Sequence, residues 1–284
     1  MANNVEHFAR QDFDVIVTTG QEMESVTKEM AMNYPRIHFL GVNQNGFEEI
    51  LNASNLGFSA EKIGYAAGAL AAKTTNSNVV GIVISNESSQ QTSDLRIGYE
   101  SGVTAFPQDI KVIVLAHPEA NHESAHDVAW GQQAATELLS AGADVIFAED
   151  NATGRSALVA TAQAGETYCI GIGANLWSDV SEAHPCLVAG IKRHITEGTF
   201  ETIARVAVSQ GDHHSHDAEH FNGRIEYVFY SLFDEVVADY DKELLQDIVK
   251  VIGNNSIDTD DVEIHKPDSE HNSERHHVHV DGDH

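Results

Sequence analysis

The sequence predicts an α/β protein whose strands run parallel. Short apolar runs alternate with longer segments whose apolar residues recur at helical spacing, and polar loops follow the apolar runs. This alternation is typical of parallel sheets joined by right-handed crossovers. With 284 residues, of which 42% are hydrophobic, the chain can bury a sizeable core, and we expect two lobes with appendages.

In the first half of the chain, each element follows from its pattern. FDVIVTTG has strand character, the next segment has helical spacing up to Pro35, and IHFLGVN is again strand-like. The apolar runs VVGIVIS and IKVIVLA alternate with segments of helical spacing. We predict strands at residues 13–20, 37–43, 79–85 and 110–116, and helices at 21–35, 60–74, 93–106 and 124–142.

The second half continues the alternation. A short apolar run at 145–147 precedes SALVATAQAG, whose apolar positions have helical spacing, and YCIGIG, CLVAGIK and RIEYVFY are strand-like. We predict strands at 145–147, 168–173, 186–192 and 224–230, and further helices near 193–209 and 239–252.

The polar loop within GADVIFAEDNATG, residues 142–154, separates a predicted strand from a predicted helix. In open α/β sheets, ligands collect at the carboxyl ends of strands, where the first amides of the next helix are free to donate hydrogen bonds. A metabolite or a phosphate could bind there, or the loop could be only a connection.

The charge balance excludes some partners. Sixteen basic against 44 acidic residues give a formal net charge of −28, which repels nucleic acid and anionic membrane surfaces, so we expect no nucleic-acid partner. No run approaches the roughly 18 apolar residues that span a bilayer. The opening MANNVEHFARQDFD lacks the basic and apolar regions of a signal peptide, so we expect none in the chain as given.

Cys169 and Cys186 do not have the C-x-x-C spacing, and they could pair only if the fold places them together. We expect buried core thiols.

Catalytic motifs are scarce. The sequence contains no G-x-x-x-x-G-K-[ST] loop, no G-x-G-x-x-G after a strand and no G-x-S-x-G elbow. His122, Glu123 and His126 do match H-E-x-x-H, the pattern of two zinc ligands and a general base, but no third ligand is evident. A zinc-dependent hydrolase is therefore a remote alternative, and we expect no enzymatic activity.

Ten of the 17 histidines lie from residue 213 onward. Imidazoles beside carboxylates are suitable ligands for zinc or nickel. We predict weak, exchangeable metal binding by His213, His214, His216 and His220, and no resident cofactor. The segment 254–284 has few large apolar residues and many charges, so we expect a disordered tail.

Seven phrases in order resemble the basic membrane protein family, over roughly residues 10–255. They are DVIVTTGQEMESVTKEMAMNYPRIHFLGVN, NASNLGFSAEKIGYAAGALAAKT, VVGIVIS, RIGYESGVTAFPQDIKVIV, GADVIFAEDNATG, YCIGIGAN and LVAGIKRHITEG. These proteins are substrate-binding components of ABC importers, related to purine-nucleoside-binding lipoproteins. The resemblance implies a type I periplasmic-binding-protein fold, with two Rossmann-like lobes and a ligand in the cleft between them.

The same resemblance implies the partners and the location. The ligand would be a nucleoside, such as a purine nucleoside, or another small polar metabolite. ABC permease subunits would be the protein partners, and the location would be extracytoplasmic and membrane-associated. A metabolite-sensing or regulatory protein of the same fold is the alternative. Compared with the family, the chain looks truncated before its first strand, so lobe one would lack its first strands.

The implied lobe boundaries follow from this comparison. We expect lobe one at residues 1–78 and 190–224, lobe two and the hinge at 79–189 and about 225–253, and the tail at 254–284.

The implied ligand site departs from the family pattern at two positions. Asn43 stands where the family has an acidic residue, and Gly173 replaces an aspartate that resembles a ribose-hydroxyl acceptor in relatives. A glycine offers no such charge-assisted hydrogen bonds, which weakens the case for a nucleoside. The full set of predicted ligand-binding residues is Thr19, Gly20, Asn43, Asn151, Thr153, Gly154, Gly173, Asn175 and Lys192.

Overall fold

Two β-sheets, each covered by helices, organise the chain. The computed structural model describes residues 2–11, 13–119, 121–209 and 220–254. The strands are β1 Val15–Thr19, β2 His38–Val42, β3 Ala53–Gly57, β4 Val79–Ile84, β5 Lys111–Ala116, β6 Val145–Ala148, β7 Tyr168–Ile172, β8 Leu187–Arg193, β9 His220–Asn222 and β10 Ile225–Phe229. The helices are α1 Ala2–Ala9, α2 Glu24–Asn33, α3 Ala60–Thr74, α4 Gln90–Thr104, α5 Val128–Ser140, α6 Ala152–Ala164, α7 Leu176–Asp179, α8 Ile195–Ser209, α9 Ser231–Val236 and α10 Asp239–Asn254.

Lobe one is built on the smaller sheet. Within the described residues, this sheet has four parallel strands in the order β1-β2-β3-β9. Helices α1 and α2 pack on it through an apolar cluster that includes Ile16, Met30 and Phe39. Helix α8 contacts β2 and β3. The carboxyl ends of all four described strands of lobe one therefore lie at the same edge of the sheet.

Lobe two is built on the larger sheet. Its six described strands have the order β10-β8-β7-β6-β4-β5, and only β10 runs antiparallel to its neighbour. Residues that alternate along β4 and β6 belong to two different buried clusters, Ile82 and Phe147 to one and Val83 and Ile146 to the other. Helices cover both faces, which explains why these strands are continuously apolar in the sequence.

Helices α3 and α4 approach each other through glycines. A Cβ atom on Gly98 would collide with the carbonyl oxygen of Glu61, and one on Gly64 would collide with the carbonyl oxygen of Leu95. Gly68 and Gly102 are equally close to the opposite backbone. The two IGYxxG phrases of the sequence therefore form one helix–helix contact with no room for side chains.

The boundary between the lobes differs from the sequence prediction. Helix α3 packs on α4 and on strands of the larger sheet, so residues 60–78 belong to lobe two and not to lobe one. Strand β8 pairs in the larger sheet up to Arg193, so residues 190–193 belong there as well. Among the described residues, the chain passes between the lobes at 57–60, 193–195 and 222–225.

Five of the described helices and strands were not predicted from the sequence. They are α1, α7, α9, β3 and the short strand β9. The predicted tail lies outside the described residues, except for Asn254 at the end of α10.

The expectation of free core thiols is wrong. Cys169 and Cys186 form a disulfide, with their Cα atoms 5.1 Å apart. After β7, the chain turns through α7 and returns beside the start of that strand, where the amide of Cys169 donates a hydrogen bond to the carbonyl of Cys186. This return brings two residues 17 positions apart in sequence to disulfide distance.

Candidate functional site

A cavity of about 260 Å³ lies between the lobes. Lobe one contributes the segments that follow β1, β2, β3 and β9, and lobe two contributes the first turns of α3 and α4. The lining residues are Gln21, Asn43, Asn45, Gly57, Phe58, Ser59, Ala60, Glu61, Gln90, Gln91, Asp94 and Asn222. Side-chain amides dominate the polar part of this lining, and they can both donate and accept hydrogen bonds.

The wall from lobe one is a fixed loop. Asn43 has a left-handed backbone with φ of 57°, which asparagine tolerates better than most residues, and its amide donates to the carbonyl of Leu56 at 2.8 Å. Gln44 is fully buried, and its Nε2 donates to Oγ1 of Thr18 at 3.1 Å. Nδ2 of Asn55 donates to the carbonyl of Gln44 at 2.9 Å. These contacts hold the loop that presents Asn43 and Asn45 to the cavity.

The wall from lobe two is the beginning of α4. Ser89 caps the helix, because its hydroxyl accepts a hydrogen bond from the amide of Thr92 at 3.1 Å. Gln90 and Asp94 line the cavity one turn apart, and Nε2 of Gln90 donates to Oδ1 of Asp94 at 2.7 Å. The cap therefore fixes the position of two polar side chains that face lobe one.

A carboxylate connects this helix to the loop after β6. Oε2 of Glu149 accepts hydrogen bonds from the amide and the hydroxyl of Ser85, both at 2.6 Å, and from Nδ2 of Asn151 at 3.2 Å. Oε1 of Glu149 accepts from the hydroxyl of Thr92 at 3.1 Å. Glu149 is a positioning residue, because it joins the ends of β4 and β6 to the first turn of α4.

Of the predicted ligand-binding residues, Asn43 lines the cavity. Thr19 and Gly20 lie next to it in space, at the end of β1, where the amide of Gly20 donates to the carbonyl of Val42 at 3.0 Å. Gly20 has φ of 94°, a conformation that favours glycine. It turns the chain toward Gln21, which does line the cavity.

The predicted residues of the loop after β6 serve mainly the fold. Oδ1 of Asn151 caps α6 by accepting from the amide of Gly154 at 2.8 Å. Thr153 is fully buried, and its hydroxyl donates to the carbonyl of Ser124 at 2.7 Å. A Cβ atom at Gly154 would collide with the carbonyl oxygen of Glu149. Thr153 and Gly154 thus have packing roles and do not line the cavity in this arrangement of the lobes.

The remaining predicted residues lie at the carboxyl ends of β7 and β8. The amide of Gly173 donates to the carbonyl of Ile191 at 2.9 Å, and Asn175 is exposed just before α7. Nζ of Lys192 lies 3.1 Å from Oε1 of Glu226. Its hydrogen bond to Glu226 raises the pKa of Lys192 above its ordinary value. These three residues stand outside the cavity lining in this arrangement of the lobes.

Several lining residues were missed by sequence reasoning. Gln21, Asn45, Gln90, Gln91, Asp94 and Asn222 were not predicted. The sequence did contain a signal for Gln90 and Gln91, namely a polar run directly after an apolar strand. SNESSQQ follows VVGIVIS in the same way as the polar loop at 149–151 follows β6. The predicted helix began at residue 93, three residues after the observed start of α4, so Gln90 and Gln91 were not expected at a helix start.

The predicted metal ligands remain untested. His213, His214 and His216 lie outside the described residues, and His220 is described only as the first residue of β9. The H-E-x-x-H stretch forms a 3₁₀ helix, His122–His126, ahead of α5. With three residues per turn, its two histidine positions are about 120° apart around the axis and do not share a face. No group of three potential metal ligands occurs in the part of the chain that the structure describes.

Comparison with known proteins gives consistent matches. Residues 1–192 match the model of one family, the PnrA-like ABC transporter substrate-binding proteins. The CD4+ T-cell-stimulating antigen of Listeria monocytogenes is 28% identical over 151 residues, which are 53% of this chain and 40% of the antigen. The ABC transporter nucleoside-binding protein BmpA of Lactococcus lactis is 26% identical over 144 residues, which are 51% of this chain and 39% of BmpA. The matched part thus spans well under half the length of these relatives.

A solved structure shares the fold over most of the chain. The solute-binding protein of an ABC transporter system from Conexibacter woesei superposes with a TM-score of 0.68 at 17% identity, covering 89% of this chain and 79% of that chain. At this identity, the likeness shows the fold alone. It confirms the predicted fold class, an α/β protein of the two-lobed type I periplasmic-binding-protein fold.

Proposed function

Because this chain belongs to the family of PnrA-like ABC transporter substrate-binding proteins, we propose that its interlobe cavity binds a nucleoside-like or other small polar metabolite for import. The observation that carries the proposal is the position of the cavity. It lies where the carboxyl ends of the strands of lobe one face the first turn of α4, which is where ligands bind in open α/β sheets. The role requires binding and release without chemistry.

The lining indicates how the ligand is held. Asn43, Asn45 and Asn222 offer amides from lobe one, and Gln90 and Asp94 offer polar groups from lobe two. A ligand that bonds to both walls stabilises one arrangement of the lobes, because its contacts exist only when both walls are within reach. Lys192, Gly173 and Asn175 join the site only if the lobes rotate further toward each other.

The partners and the location complete the proposal. A permease would recognise the ligand-bound arrangement of the lobes at the outer face of a membrane. The disulfide between Cys169 and Cys186 supports an extracytoplasmic location, because disulfides persist in oxidising compartments. Every helix in the described residues is too short or too polar to span a bilayer. No resident cofactor is proposed, apart from weak zinc or nickel binding by the histidine-rich segments.

Calorimetry and thermal melting with a fixed panel test the proposal. The panel contains purine nucleosides, pyrimidine nucleosides and neutral monosaccharides. We expect at least one member to raise the melting temperature, and Asn43→Ala to weaken its binding by about 1 kcal/mol, the usual net value of one hydrogen bond. Asp109→Ala, an exposed position remote from the cavity lining, is the matched control and should bind like the parent.

Two results would contradict the proposal. One is a panel in which no compound binds the parent protein. The other is a ligand whose affinity is the same for the parent, for Asn43→Ala and for a Gln90→Ala variant, because that ligand would be bound elsewhere.

A further inference from the structure

Two of the segments that pass between the lobes touch each other at the hinge. The amide of His194, between β8 and α8, donates to the carbonyl of Arg224, between β9 and β10, at 2.9 Å. His194 therefore lies where two of the segments that connect the lobes are in contact. Its side chain is 17% exposed, so it is largely enclosed by its neighbours.

The imidazole lies between two carboxylates that belong to different lobes. Nε2 of His194 is 3.1 Å from Oε2 of Glu226, on β10 of lobe two. Nδ1 of His194 is 3.6 Å from Oε1 of Glu197, on α8 of lobe one. Nζ of Lys192 lies 3.1 Å from Glu226 and 3.7 Å from Glu197. We call Lys192, His194, Glu197 and Glu226 the hinge cluster.

The cluster perturbs the titration of its own carboxylates. Desolvation by burial raises the pKa of Glu226, but the contacts with Lys192 and His194 outweigh it, and the pKa falls below its ordinary value. A backbone hydrogen bond lowers the pKa of Glu197, and the charges of Lys192 and His194 lower it further. Both carboxylates therefore stay ionised throughout the range in which a histidine changes charge.

We propose that His194 is a pH-responsive brace between the lobes. Protonated imidazole has two N–H donors, so Nε2 can donate to Glu226 while the positive charge of the ring attracts Glu197, whose Oε1 lies 3.6 Å from Nδ1, beyond hydrogen-bond distance. Neutral imidazole has one N–H donor, and its other nitrogen then directs a lone pair at a carboxylate oxygen. Protonation of His194 therefore favours the lobe arrangement in which both carboxylates lie close to the ring. Deprotonation weakens the attraction between the lobes, although Lys192 still attracts both carboxylates.

The basic side chains that the structure describes near His194 include Lys192 from β8, Arg224 from the neighbouring crossing and Lys250 from α10. Lys192 keeps its charge between about pH 5 and 8, because its hydrogen bond to Glu226 raises its pKa above the ordinary value. Arg224 is paired with Glu201 at 3.3 Å, and Lys250 with Asp247 at 2.9 Å. Lys192 supplies constant attraction to both carboxylates, so the pH-dependent part of the attraction comes from His194.

Distances between nitroxide labels on the two lobes test the proposal in ligand-free protein. Glu29→Cys on α2 and Gln133→Cys on α5 are exposed labelling positions, and the two native cysteines are blocked by their disulfide. We expect a narrow interlobe distance distribution at about pH 5 and a broad one at about pH 8, on either side of the range in which histidines change charge.

Variants separate the brace from other titrating groups. H194Q should give the broad distribution at both pH values, and E197Q should do the same while leaving the imidazole in place. E201Q is the matched control, one turn further along α8 and paired with the exposed Arg224, and it should keep the pH response of the parent.

Two outcomes would overturn the proposal: equal widths for the parent at both pH values, or an unchanged pH response in H194Q and E197Q. Because no ligand is added, a failure of the proposed transport function would leave this result interpretable.

Discussion

Oε2 of Glu149 accepts hydrogen bonds from both the amide and the hydroxyl of Ser85, each at 2.6 Å. The pair joins the carboxyl ends of β4 and β6, two strands that are neighbours in the larger sheet. We expect Glu149→Ala to lower the free energy of unfolding by about 1–3 kcal/mol, since it leaves buried donors without an acceptor. Urea denaturation measures the loss, with Glu87→Ala, an exposed residue in the loop before α4, as the control. Equal midpoints for the two variants would show that Ser85 finds other partners at little cost.

Gly98→Ala tests the contact between α3 and α4. A methyl group there collides with the backbone carbonyl of Glu61, which belongs to a packed helix and cannot move aside alone. Overpacking costs about 1–3 kcal/mol and usually exceeds the gain in helix propensity of roughly 1 kcal/mol. We therefore expect a lower melting temperature by calorimetry, and no loss for Ser101→Ala on the same helix, which is half-exposed. A more stable Gly98→Ala variant would mean that the helices separate without penalty.

Removal of the disulfide should destabilise the protein measurably. A cross-link that closes a loop of this size restricts the unfolded chain by about 3 kcal/mol. We expect the double variant Cys169→Ala and Cys186→Ala to unfold at lower urea concentration than the oxidised parent. The chain has only two cysteines, so added reductant should shift the parent toward the variant and leave the variant unchanged. If the urea midpoint of the parent is the same with and without reductant, the disulfide does not stabilise the protein as proposed here.

His38 should make the protein sensitive to mild acid. Burial lowers the pKa of His38 to about 4, and its Nε2 lies 2.9 Å from Oγ of Ser54. The unfolded chain then binds a proton at His38 more readily than the folded chain does. The contribution of neutral His38 to the free energy of unfolding is therefore fully present above about pH 6.5 and is lost as pH falls toward 4. In His38→Gln, the free energy of unfolding should depend less on pH in this window, as measured by urea titrations at several pH values. An identical pH dependence in the two proteins would assign the sensitivity to other groups.

The histidine-rich segments should bind metal weakly and reversibly. Imidazoles beside carboxylates bind zinc or nickel when they are neutral, so protons compete with the metal for the same nitrogen atoms. We expect more than one equivalent of zinc by calorimetry at about pH 7.5, and a loss of binding as pH falls through roughly 6.5. Deletion of residues 255–284 should remove much of this binding, and replacement of His213, His214 and His216 by glutamine much of the rest. If neither change alters the stoichiometry, the metal ligands lie elsewhere.

Sequence patterns predicted the strands that are covered on both faces. Apolar runs such as β4 and β6 are continuous because helices pack on both sides of them. The strand β3, with the sequence ASNLG, was missed because Ser54 and Asn55 are polar. Both are nevertheless buried, and Asn55 is satisfied by the carbonyl of Gln44, a partner that no local pattern reveals.

The sequence pointed to the edge of the sheets where the cavity lies, but most of the predicted ligand-binding residues lie outside its lining. The rule that ligands bind at the carboxyl ends of strands located the cavity, and Asn43 lines it. Gln90 and Asp94 were missed because the predicted helix began at residue 93, whereas α4 begins at Gln90. An error of one turn in the helix start changes which side chains are expected to face lobe one. The disulfide was missed for a similar reason, since pairing depends on where the chain returns and not on spacing.

The short strand β9 has a consequence for the order in which the protein is assembled. It pairs with β3 through residues 220–222, whereas all of β4 to β8 lies between the two strands in the sequence. During synthesis from the amino terminus, the parallel core of lobe two is complete before β9 leaves the ribosome. Lobe one gains its last described strand only afterwards, and contacts between such distant segments form slowly. Until then, the edge of β3 has no partner strand among the described residues, so it can pair with a strand of another chain.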